Sequence, residues 1–61
     1  MRYKAVIVFD TNTLSEVFPT VGMAEQWIDS NNNNYDYTSY IQELDSRNNV
    51  IDWFYYTESR R

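Results

Sequence analysis

The stretch that decides the fold is Tyr37–Thr57, YTSYIQELDSRNNVIDWFYYT. Its first half fits two periods. Tyr37, Tyr40, Ile41 and Leu44 recur as one face of a helix, while the tyrosine and threonine content suits a strand. The second half tips the balance. Val50–Glu58 (VIDWFYYTE) is strongly strand-like, and the DSRNN before it is rich in turn formers. A hairpin joining 37–45 to 50–57 uses local contacts and leaves no long structureless loop. With Ser46–Asn49 as the loop, Asp45 faces Val50, Leu44 faces Ile51, Gln42 faces Trp53 and Tyr40 faces Tyr55. On the opposite face Glu43 lies across from Asp52, and Ile41 from Phe54. A slip of one residue would flip every side chain.

Working outward, Thr20–Asn31 (TVGMAEQWIDSN) holds the best helical pattern of the chain. Thr20 supplies an N-cap, and Val21, Ala24, Trp27 and Ile28 fall on one side at helical spacing. Gly22 weakens the helix, but in its first turn, where the cost is tolerable. The asparagine run at 31–34 then stops it, since Asn is comfortable in left-handed geometry and poor in helix interiors. Tyr3–Phe9 (YKAVIVF) is apolar on both parities and reads as a covered strand. Asp10–Thr13 has turn chemistry, and Leu14–Phe18 returns as a second strand. A two-residue Thr11-Asn12 loop sets Phe9 against Leu14 and Ala5 against Phe18. A rival helix start at Thr13-x-x-Glu16 is cut short by Pro19. The expected fold is α+β: one small domain over 1–61, an antiparallel sheet in ββαββ order with one helix packed on a face.

Size and composition limit what such a domain does. The 61 residues include no cysteine and no histidine, which excludes disulfides and the usual zinc sites. Apolar side chains must hold the fold, aided by self-association. The longest apolar run, Ala5–Phe9, falls far short of the roughly 20 residues a membrane span needs. The N-terminal segment is too short for a signal peptide, so a cytoplasmic location is expected. The net charge of −4 hides an asymmetry. Arg2, Lys4, Arg60 and Arg61 lie near the ends, and residues 5–59 hold nine acids against one cation, Arg47, a local balance of −8. So acidic a body disfavours direct binding of nucleic acid.

Catalytic motifs are short or missing. VIVFDTNTL (Val6–Leu14) resembles the opening strand of PIN-domain ribonucleases, in which an apolar strand ends in Asp-Thr-Asn and the aspartate helps to bind metal. That resemblance would make Asp10 a metal ligand. It covers nine residues, and the family's further carboxylates need a longer chain, so Asp10 reads as a turn residue. A nucleophile would lack the common histidine base, and the single glycine, Gly22, rules out a Gly-rich phosphate loop. No enzyme, cofactor or metal site is expected.

What remains is binding. Six Tyr, two Trp and three Phe are more rings than a core with one helix hides with ease, and Tyr and Trp favour interaction surfaces. The expected partner surface comprises Asp36, Glu43, Asp45 and Asp52 as stand-ins for phosphates, with Tyr37, Tyr40, Trp53 and Tyr55 as anchors. It would meet a basic surface on a nuclease or other nucleic-acid enzyme. In size, charge and aromatic β content the chain looks like the small acidic inhibitors of phages and mobile elements, anti-CRISPR proteins and other nucleic-acid mimics among them. The alternative is an assembly role, as a homodimer through the strand edge and aromatics of 50–56.

Overall fold

The computed structural model describes residues 1–31 and 37–59, with only the backbone of Tyr55, Tyr56, Glu58 and Ser59. β1 (Arg2–Phe9), β2 (Thr13–Phe18), α1 (Val21–Ser30), β3 (Tyr37–Leu44) and β4 (Val50–Ser59) follow in the ββαββ order read from the sequence. The strands form one antiparallel sheet in the order β2-β1-β3-β4. Because β2 and β3 both pair with β1, the helix carries the chain from one flank of β1 to the other.

The helix starts as its sequence dictates. Thr20 is extended, and its hydroxyl accepts from the Met23 N–H at 3.2 Å, satisfying a donor that the first turn leaves open. It ends by a different device. Asn31 has φ −101°, outside the left-handed region, and its side-chain amide donates to the Trp27 carbonyl at 2.8 Å. The Trp27 carbonyl thus accepts from both the backbone N–H of Asn31, at 3.1 Å, and its side chain, and the helix closes without left-handed backbone.

The helix packs on β1, β2 and β3, and among the described residues it does not reach β4. Ala5, Ile7, Tyr37 and Ile41 from the sheet meet Ala24 and Ile28 from the helix, all buried. Tyr3, Phe9, Phe18, Val21, Trp27 and Phe54 close the margins of this layer. Ring pairs fix its ends: Phe9 against Tyr37 at 6.3 Å, Phe18 against Trp27 at 5.9 Å, and Tyr3 edge-on to Phe54 at 5.9 Å. Burying each large side chain contributes about 1.5–3 kcal/mol. Ser39, opposite Ile7, is fully buried in the same layer, and its hydroxyl has no partner among the described residues.

Two registers differ from expectation. In the first hairpin Ile7 faces Leu14 and Tyr3 faces Phe18, a shift of two residues. The turn is longer than two residues, closed by the Phe9 N–H to the Asn12 carbonyl at 2.8 Å. An even shift keeps every side chain on its expected face. In the second hairpin the pairs Glu43–Asp52, Gln42–Trp53 and Ile41–Phe54 form as expected. Leu44 pairs with Val50 instead of Ile51, however, and Tyr40 with Tyr56 instead of Tyr55. Two bulges in β4 cause this, leaving Ile51 and Tyr55 unopposed.

Candidate functional site

Alternation along the paired strands sorts the side chains into two sheet faces. Under the helix, successive rows run Phe18–Tyr3–Glu43–Asp52 and Glu16–Ala5–Ile41–Phe54 across β2, β1, β3 and β4. On the other face the corresponding rows are Val17–Lys4–Gln42–Trp53 and Ser15–Val6–Tyr40, with Arg2 beside Leu44 and Val50 at the end.

The charges follow this division. Glu16, Glu43 and Asp52 belong to the helix-side rows, and Glu25 and Asp29 lie on the helix itself. Asp10 and Asp45 sit in the two hairpin loops. Among the described side chains no carboxylate lies on the open face, whereas Arg2 and Lys4 do. These two cations line a depression of about 280 Å³ with Val17, Gln42, Leu44 and Val50. Arg2 also donates to the side-chain carbonyl of Asn48 at the hairpin tip. Among the described side chains, the sheet therefore separates a side that carries the strand acids from an open side that carries the strand cations.

Glu43 and Asp52 stand opposite each other on neighbouring strands, a like-charge arrangement that costs about a few tenths to 1 kcal/mol. One Asp52 oxygen accepts the Trp53 N–H at 2.8 Å. Beside the acids, Tyr3 of β1 and Phe54 of β4 reach each other over β3. Both are half-buried, and register sets Tyr3 directly opposite Glu43 and Phe54 two residues along β4 from Asp52, on the same face as the acid pair.

Asp45 has a task within the chain. Its carboxylate accepts the backbone N–H groups of Arg47 at 2.8 Å and Asn49 at 2.9 Å. The Asn48 N–H closes on the Asp45 carbonyl, and the Asp45 N–H on the Asn49 carbonyl, both at 3.0 Å. Asn48 takes φ 66°, a left-handed conformation that Asn tolerates. The hydrogen bonds from Asn49 and Arg47 hold the Asp45 carboxyl below its ordinary value. An aspartate at this position is explained by the turn it builds.

The residues expected to form one partner surface are therefore divided. Glu43 and Asp52 come together on the acidic side. Tyr40 and Trp53 come together on the open face, with ring centroids 4.9 Å apart. Tyr37 is 8% exposed and packs in the core against Phe9. Asp45 is at the tip, Asp36 lies outside the described residues, and so does the side chain of Tyr55. Strand period already separates Tyr37 from Tyr40 and Asp52 from Trp53, because an odd spacing puts two residues on opposite faces. Tyr3 and Phe54, the rings beside the acid pair, were absent from the expected surface. Alternation counted from Asp52 marks Phe54, whereas Tyr3 depends on the pairing of β1 with β3, which no local signal supplies.

Asp10, where the short ribonuclease-like stretch would put a metal ligand, lies exposed in the first hairpin loop. No group of three or more Asp, Glu, His or Cys among the described residues is placed to hold a metal ion. Nor, among them, is any helix long and apolar enough to cross a membrane. The architecture is a small α+β sheet covered by its helix on one side. No protein-family model, curated protein or solved structure matches the chain.

Proposed function

We propose that the protein acts by binding, as a small acidic modulator that docks its helix side on a basic surface of a nucleic-acid-handling protein. The observation that carries this reading is charge segregation among the described side chains: Glu16, Glu25, Asp29, Glu43 and Asp52 share one side of the sheet, and the strand cations Arg2 and Lys4 lie on the other. Scattered solubilising charge has no reason to sort in this way. A one-sided negative surface raises the encounter rate with a positive partner and discourages wrong orientations. Glu43 and Asp52 supply paired carboxylates in place of phosphates, and the edges of Tyr3 and Phe54 offer adjoining apolar contact. The like-charge cost between the acids is relieved when a cation of the partner sits between them.

The test is capture from a lysate of the producing or host cell, with the wild-type chain and a Glu43→Lys/Asp52→Lys variant side by side. The expected result is a nucleic-acid-binding protein retained at low salt, released by high salt or by competing duplex DNA, and lost with the variant. Capture that is indifferent to salt and to the charge reversal would overturn the reading.

A further inference from the structure

β4 is the longest strand, with 10 residues, and lies at one edge of the sheet. It pairs with β3 alone, and among the described residues the helix does not cover it. Its open face nevertheless carries Trp53, 59% exposed, packed on Tyr40 of β3. Val17, half-exposed, lies on the same face, and Val50 is 44% exposed. Of the eight aromatic side chains described, the other six pack on the helix side. A ring pair on an uncovered sheet face, flanked by valines, is the composition of an interface centre rather than of a wetted surface.

We propose that a second copy of this chain covers the open face, the two sheets meeting about a twofold axis near Tyr40 and Trp53. Area is one reason. Four strands about 4.8 Å apart and about seven residues long give a face on the order of 450 Å² in plan. Two such faces, roughened by side chains, bury about 1,000 Å² or somewhat more, which reaches the lower limit for a specific interface. Charge is the second reason. Arg2 stands in the end row beside the hairpin tip, and the Lys4 stem can run over Val17 toward the β2 edge, so that both heads stay in water, while Gln42 beside Trp53 supplies an amide that bonds without net charge. The edge of β4 is the weaker route to a pair, because its two bulges interrupt the ladder that a further strand would need. The core offers a third reason: among the described residues the layer under the helix holds six buried apolar residues, a small core, and chains of this size gain most from association. In such a dimer both acidic sides point outward. Resting on the proposed function, this makes the assembly bivalent toward a basic partner.

Sedimentation equilibrium across a wide concentration range tests the proposal. The expected mass is twice the 7.4 kDa of the chain, with a dimer that persists or tightens as salt rises. Trp53→Lys and Tyr40→Glu are expected to give monomers with unchanged far-ultraviolet circular dichroism, while Glu43→Lys/Asp52→Lys leaves the dimer intact. Should the open-face variants fail to fold, a Trp27→Phe chain keeps Trp53 as the sole tryptophan, and its emission should shift to the blue as concentration rises. A 7.4 kDa mass at every concentration overturns the proposal. So does a dimer that survives Trp53→Lys or dissociates in high salt, and so does a monomer whose Trp53 is buried by an added acidic peptide or oligonucleotide. A monomer that still captures a basic protein would leave the proposed function standing and remove only the dimer.

Discussion

The two faces of the sheet are made from the same strands and have opposite characters. On the helix side, apolar side chains are packed to near-zero exposure at Ala5, Ile7, Ile28 and Ile41, with carboxylates around their margin. On the open side Val6 and Leu44 are buried by their strand neighbours alone, while Trp53 and Val50 remain largely in water. Stability thus resides in one layer, and much of the unused apolar surface lies on the other face. For function, a surface average is misleading here. The mean charge is negative, yet the charged residues of the open face for which side chains are described are Arg2 and Lys4.

The comparison breaks most visibly in the core. Ile28→Ala or Ile41→Ala should cost about 2–5 kcal/mol, against the total of about 3–9 kcal/mol expected for a domain of this length. Urea unfolding at concentrations low enough to keep the chain monomeric should find these variants largely unfolded, while Val8→Ala or Val17→Ala on the open face changes the midpoint little. Equal effects on both faces would mean that the open face is already covered. Ser39→Ala should stabilise the fold by about 1 kcal/mol, because it removes a buried hydroxyl that bonds nothing among the described residues. A loss instead would reveal a partner for that hydroxyl. Gly22→Ala should add about 0.5–1 kcal/mol, since the helix position is exposed and a methyl group there meets nothing within 4 Å.

Smaller effects sharpen the charge half of the comparison. Glu43→Lys turns a repulsive cross-strand pair into an attractive one, so stability should rise by a few tenths to about 1 kcal/mol while partner capture weakens. Opposite signs for folding and binding would mark an acid kept for a partner. At the tip, the folded-state carboxyl of Asp45 lies below its ordinary value of 3.8. Its contribution is therefore present above that pH and is lost as pH falls through the depressed folded value. Urea midpoints measured against pH should show this acid dependence in the wild type and a weaker one in Asp45→Asn.

Much of the fold was legible because each element carries its own local signal. Thr20 and the spacing of Val21, Ala24, Trp27 and Ile28 gave the helix, and DSRNN between two β-rich runs gave the second hairpin. The bulges at Ile51 and Tyr55 were not legible, since nothing in VIDWFYYTE marks where an extra residue leaves the ladder. The site was less legible than the fold. Asp45 and Glu43 look alike in sequence, and only the tip geometry shows that the first is held by backbone N–H groups.

By itself the sequence determined the order of elements and the helix start. These rest on contacts between residues near in the chain, through caps, periods and turn chemistry. The tertiary structure alone decided that β3 lies between β1 and β4, that Tyr3 meets Phe54 across it, and that Glu16, Glu43 and Asp52 lie on the sheet face opposite Arg2 and Lys4. Those outcomes depend on which strands become neighbours and on the face the helix covers. Long-range packing sets both, and no local pattern records them.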